Sequence, residues 1–228
     1  MQIDVRHAPS FAVARCTLAG GEHVKVESGA MMATSDGVEL DARMEGGLLK
    51  GLKRSVLGGE SLFITSYHAP AQGGWVDVAA NLPGDVIVRT VSPDRALFLS
   101  RGSWLASEAG VELDTKWGGF KNLVGGEGGF LVRASGEGEV VLSCYGALDV
   151  HRLGAGERLV LDSGHMVAYD EGVQFTLRRA AQGKTIQSLK SGEGFVFEFT
   201  GPGDVYAQSR NPDALIGWLT TVLPFSRS

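Results

Sequence analysis

The stretch Val24-Lys25-Val26-Glu27-Ser28-Gly29-Ala30-Met31-Met32-Ala33, followed by Asp36-Gly37-Val38-Glu39-Leu40, decides the fold because its pattern returns twice. The second copy is Leu97-Phe98-Leu99-Ser100-Arg101-Gly102-Ser103-Trp104-Leu105-Ala106, followed by Ala109-Gly110-Val111-Glu112-Leu113. The third is Leu159-Val160-Leu161-Asp162-Ser163-Gly164-His165-Met166-Val167-Ala168, followed by Glu171-Gly172-Val173-Gln174-Phe175. Self-similarity at this spacing marks a chain built from one supersecondary unit used repeatedly. Apolar residues alternate around each marker glycine (Gly29, Gly102, Gly164), which is a strand pattern. The glycine itself reads as a turn, bulge or tight bend.

A second element follows each copy in the same order: Gly58-Gly59-Glu60, Gly125-Gly126-Glu127 and Gly192-Glu193-Gly194. Its glutamates lie 67 and 66 residues apart, so one unit with variable loops accounts for all three. With 33 glycines against 7 prolines, the chain has turn residues enough for many short strands, as in a sandwich, a barrel or a β-helix. The expected fold is therefore all-β, with three tandem sandwich-like or β-helix-like repeats in a pseudo-threefold arrangement. They form one domain, with repeats near 1–92, 93–155 and 156–211. A short helix at 212–223 follows. Asn211-Pro212-Asp213 supplies its cap and first turn, and Leu215, Trp218, Leu219, Val222 and Leu223 form an apolar stripe. That stripe docks on the sheet, or else meets another subunit or a membrane surface.

Chemistry is sparse. Gly183-Lys184-Thr185 lacks the glycine a phosphate loop needs five residues earlier, where Arg178 stands. The glycines of Gly126-Glu127-Gly128-Gly129 and Gly154-Ala155-Gly156 complete no dinucleotide fingerprint. His7, His23, His68, His151 and His165 show no close ligand spacing, although a distant pair such as His151 and His165 can converge. Cys16 and Cys144 sit in apolar strand-like runs and read as buried packing groups rather than nucleophiles or a disulfide. Glu60, Glu127 and Glu193 either accept backbone N–H groups at glycine turns or gather on a common rim to bind a cation or basic partner. A net charge of −5 argues against binding a phosphate backbone. No apolar h-region opens the chain and no run is long enough to span a bilayer, so a cytoplasmic protein is expected.

Gly125-Gly126-Glu127-Gly128-Gly129-Phe130-Leu131, Ser143-Cys144-Tyr145-Gly146-Ala147, Asp162-Ser163-Gly164-His165-Met166-Val167-Ala168 and Phe199-Thr200-Gly201-Pro202-Gly203 together resemble the AIM24 family, over roughly residues 3 to 220. The resemblance implies a fold like that of the tryptophan RNA-binding attenuation protein, triplicated and assembled as a trimer into a closed ring. It brings no agreed activity. RNA binding is not carried over, because no Lys/Arg rim recurs at equivalent positions of the three units. The leading expectation is a non-enzymatic, self-associating scaffold with no cofactor, in which Gly29, Gly102, Gly164, Glu60, Glu127 and Glu193 are structural-turn or interface residues and Leu215, Trp218, Leu219 and Val222 form a candidate interface helix. The competing expectation is a small-ligand module with a pocket between repeats, lined by Trp75, Trp104 or Trp117.

Overall fold

The structure, a computed structural model, describes residues 1–41, 64–100, 102–114, 131–179 and 195–224. Among these residues strand is the predominant regular structure. The order begins with Gln2–Arg6 (β1), Val13–Leu18 (β2), His23–Glu27 (β3), Met31–Thr34 (β4), Glu39–Asp41 (β5), Ile64–His68 (β6) and Gly74–Ala79 (β7). It continues with Val86–Val91 (β8), Leu97–Ser100 (β9), Trp104–Glu108 (β10), Val111–Asp114 (β11), Leu131–Gly136 (β12) and Gly138–Ser143 (β13). Then come Leu148–Leu153 (β14), Arg158–Asp162 (β15), Met166–Asp170 (β16), Gln174–Arg179 (β17), Phe195–Thr200 (β18) and Gly203–Gln208 (β19). A C-terminal α-helix, Pro212–Val222, ends the order.

The strands form four sheets. Sheet 1 runs β1-β2-β7-β4, sheet 2 β5-β6-β3-β10-β13-β8, sheet 3 β11-β12-β9-β16-β19-β14, and sheet 4 β15-β18-β17. The orders β2-β7-β4, β8-β13-β10 and β14-β19-β16 share one pattern of neighbours, and so do β5-β6-β3, β11-β12-β9 and β17-β18-β15. Two further ladders, β10 on β3 and β16 on β9, fuse such half-sheets into the two six-stranded sheets. Every one of these ladders is antiparallel.

Local chemistry explains the corners. The chain leaves sheet 2 at the end of β3 and enters sheet 1 at β4, turning through Glu27-Ser28-Gly29-Ala30. The Ala30 N–H donates to the Glu27 carbonyl at 3.0 Å, and Gly29 has φ 91°. A left-handed third residue is what a type II turn requires, and glycine adopts it without steric cost. Gly102, with φ 79°, makes the corresponding corner, where the Ser103 N–H donates to the Ser100 carbonyl at 3.2 Å. The third corner differs. Ser163–His165 is a 3-10 turn in which the Asp162 carboxylate accepts the Gly164 N–H at 2.9 Å. Glycine is needed there for space, because a Cβ on Gly164 would stand 2.2 Å from the Asn211 side-chain nitrogen.

A bulge follows each corner, with the register shifting between Met31 and Ala33, Trp104 and Ala106, and Met166 and Ala168. The shift lets consecutive side chains enter different cores. Leu105 packs in a first core with Val24, Val26, Val76 and Val78. Trp104 packs in a second core with Leu97, Leu99, Leu142 and Tyr206. Likewise Val167 joins the second core, while Met166 joins a third with Phe98, Tyr169, Phe197 and Phe199. Burying an aliphatic side chain of this size contributes about 1.5–3 kcal/mol. The alternation seen in β3, with Val24 and Val26 inward and Lys25 outward, is the sequence pattern made physical.

Candidate functional site

The C-terminal helix forms where the sequence asks for it. Asn211 Oδ1 accepts the N–H groups of Asp213 and Ala214 at 2.9 and 3.4 Å, and Pro212 opens the first turn. Its apolar stripe, however, is not docked on a sheet: no residue of the helix is buried. Leu215 and Leu219 are half-buried, while Trp218 is 60% exposed and Ile216 and Val222 are exposed beside it. At its root Asn211 lies against Gly164. Further along, the Thr220 and Thr221 hydroxyls donate to the Gly217 and Trp218 carbonyls, satisfying the helix on itself rather than across to a neighbour.

Two of the strands that end a sheet bear on the same question. β4 ends sheet 1 and β15 ends sheet 4, and among the described residues neither has a strand on its outer side. An unpaired edge presents a row of backbone donors and acceptors that pairs with any strand able to reach it. Apolar side chains stand there: Met31 and Met32 at one edge and Val160 at the other are all at least 40% exposed.

Several titratable groups among the described residues are tied up in ion pairs or buried. Asp77 is buried on the outer face of sheet 1, gripped by Arg15 through two 2.8 Å hydrogen bonds and by Arg6 at 2.8 Å. The Arg15 hydrogen bond, opposed by burial and helped by Arg6, holds the Asp77 carboxyl below its ordinary range. Arg178, on one carboxylate oxygen, and Arg158, on the other, do the same for the half-buried Glu198 on sheet 4. Both carboxylates are depressed on folding, so both stabilise the fold above their unfolded pKa and lose that contribution as pH falls through the lower folded value. The melting temperature is therefore expected to hold from pH 7 to about 5 and to fall below about pH 4. Asp77→Asn should flatten part of that fall, and an acid limb unchanged by the substitution would remove Asp77 from the account.

Cys16 and Cys144 are free and buried. Burial pushes their thiols up to about 12 and about 11, far from the thiolate that nucleophilic or metal chemistry needs. His23 and His68, facing each other across β3 and β6, stack at 4.8 Å, with Glu39 paired to His68 on β5. Sequence spacing missed this convergence because it arises from strand register. The pair considered instead, His151 and His165, sits on β14 and in the third corner, where His165 Nδ1 lies 2.7 Å from the Gln208 carbonyl. Among the described residues no group of three or more His, Cys, Asp or Glu could hold a metal ion.

Several expected site residues resolve differently. Gly29, Gly102 and Gly164 stand at corners, as the turn reading of their sequence expects. Glu60, Glu127, Glu193 and Trp117 lie outside the described residues, as does Gly183-Lys184-Thr185. Trp104 lines no pocket: it is 1% exposed inside the second core. Trp75 is half-buried, with the Arg15 guanidinium 3.8 Å above its ring. A depression of about 360 Å³ lies instead beside β16 and β17, lined by Phe98, Tyr169, Glu171 and Phe175 among others. Glu171 is ion-paired to Arg133 at 2.8 Å. No described helix is long and apolar enough to cross a membrane.

The family model described as "Mitochondrial biogenesis AIM24" matches residues 3–210. An uncharacterised protein of Streptococcus pyogenes serotype M6, M6_Spy0233, is 27% identical over 99% of this chain and 92% of its own length. The crystal structure of protein SPYM3_0169 from Streptococcus pyogenes superposes with a TM-score of 0.80 at 26% identity, covering 97% of this chain and 99% of that one. With the family pattern spanning nearly every described strand, the chain belongs to the AIM24 family.

Proposed function

We propose that this protein is a non-enzymatic scaffold that self-associates through its open sheet edges and its C-terminal helix. The single observation carrying this reading is that an eleven-residue amphipathic helix, satisfied in its caps, leaves Ile216, Trp218 and Val222 in water. Apolar surface of this kind on a folded protein marks a contact surface. The chain is read as three copies of one unit in a pseudo-threefold arrangement, supported by the recurring strand orders, corners and bulges. The pairings favour copy boundaries near 80–85 and 144–147, earlier than 92 and 155. The reason is that β8 and β14 each pair with the last strand of the copy they open. A homotrimer in the cytoplasm is the favoured form. Light scattering at micromolar concentration is expected to give a multiple of the 24.1 kDa chain, three being favoured. The variant Ile216→Ser/Trp218→Ser should keep the circular dichroism spectrum and lower that mass. A strict monomer at that concentration sinks the proposal.

The depression at Phe98, Tyr169 and Phe175 supports a second reading, a small-ligand module. A thermal-shift screen of nucleotides and small metabolites tests it. A hit abolished by Phe175→Ala would favour it over the scaffold.

A further inference from the structure

The β4 and β15 edges are complementary halves of one junction, and we infer that β15 of one copy of this chain pairs with β4 of a second copy, head to tail. The inference rests on the self-association proposed above and names its interface.

The chain makes this junction twice within itself. In the first, Ala106 pairs Val26, Ser107 pairs Lys25 and Glu108 pairs Val24. In the second, Ala168 pairs Leu99, Tyr169 pairs Phe98 and Asp170 pairs Leu97. Ala106 and Ala168 each stand four residues past a marker glycine, and Val26 and Leu99 each stand three before one. The rule is the same in both: four past the glycine meets three before the glycine of the preceding copy. Among the described residues one strand of each kind is left over. Four past Gly29 is Ala33, and three before Gly164 is Leu161. The rule therefore pairs Ala33 with Leu161, Thr34 with Val160 and Ser35 with Leu159, all antiparallel.

Burial at the three positions points the same way. Leu105 and Val167, three past their glycines, are 0% exposed because each enters the core of the preceding copy. Met32 occupies that position at the open edge and is 54% exposed. On the receiving strand, Val24, Val26, Leu97 and Leu99 are at most 1% exposed, whereas Leu159 and Leu161 are only half-buried. The outward residue between them behaves alike: Lys25 Nζ donates to the Val111 carbonyl of the next copy, and Phe98 packs in the third core. Their counterpart Val160 is 54% exposed, and the counterparts of Val111 and Leu113 are Val38 and Leu40, the latter 53% exposed. One junction would cover Met32, Leu40 and Val160 together. Continuing the register sets Asp36 opposite Arg158, an opposite-charge pair at the rim.

The occupant is a second copy because β4 and β15 of one chain are not hydrogen-bonded to each other. Such an interface is heterologous, closing into a ring when its rotation permits and growing as a filament otherwise.

The test mixes purified Thr34→Cys protein with purified Val160→Cys protein and adds a short bis-maleimide. The native cysteines are buried and contribute little reactivity. A covalent dimer is expected in the mixture at several times the yield given by either variant alone. Separately, Val160→Lys, at a position exposed in the single chain, should leave the circular dichroism spectrum intact and lower the mass seen by light scattering. If the wild type is monomeric, the scaffold reading and this interface fall together. If the wild type is oligomeric but no mixed dimer forms and Val160→Lys keeps its mass, the head-to-tail pairing is wrong while self-association through the helix stands. A cross-link formed only within one chain of a Thr34→Cys/Val160→Cys double variant shows closure inside the monomer and also overturns the inference.

Discussion

Trp104→Ala is expected to cost about 3–5 kcal/mol of stability, the range for truncating a fully buried large aromatic. The residue is 1% exposed and meets Leu97, Leu99, Val140 and Leu142 in the second core, between two six-stranded sheets. The ladders of β10 on β3 and β16 on β9 hold each sheet together as a unit, so relaxation fills the void only in part. For a chain of this length such a loss lowers the melting temperature by about 6–20 °C. Trp104→Phe should cost much less. It keeps most of the volume and removes an indole N–H that has no hydrogen-bond partner among the described residues. Thermal melts of the two variants check the prediction. A loss below about 1 kcal/mol for the alanine variant would mean that the second core is not packed as described.

Gly84→Ala is expected to be comparably damaging for a different reason. An added Cβ would stand 1.8 Å from the Cys144 carbonyl oxygen and 2.9 Å from the Gly146 nitrogen. Both neighbours are backbone, and neither can yield. The Gly146 N–H donates to the Pro83 carbonyl at 3.0 Å, the Asp85 N–H to the Gly146 carbonyl at 2.9 Å, and the Cys144 N–H to the Asp85 carbonyl at 3.1 Å. Relief of the clash breaks these bonds, each worth about 1 kcal/mol and dearer if the groups stay unsatisfied. A loss of about 3 kcal/mol or more is expected from the overlap and the broken pairings together. Denaturant titration measures it, and a midpoint equal to the parent's would show that the two segments are free to separate.

Strand alternation was readable because side chains in a strand point to opposite faces at a period of two, whatever lies beyond them. The Val24/Val26 and Leu97/Leu99 pairs are buried as their spacing predicts. The helix start was equally local, since Asn211 caps the N–H groups two and three residues on. The marker glycines were legible as corners but not in their separate reasons. Gly29 and Gly102 answer to backbone torsion, while Gly164 answers to the approach of a side chain 47 residues away in sequence. Trp104 misled for the same kind of reason. An aromatic beside a glycine looks the same in sequence whether it lines a cleft or fills a core, and only the bulge after the corner turned it inward.

Composition and periodicity alone determined that this is a β-rich chain with one terminal helix and two buried thiols, because torsion, capping and alternation act over a few residues. Tertiary structure alone decided which edges are sealed and which are bare. Edge pairing joins residues some 70 to 80 positions apart, such as Ala106 with Val26, and nothing local encodes it. For the same reason the stacking of His23 on His68 and the exposure of Trp218 emerged only once the strands were in register and the helix had found no sheet to cover it.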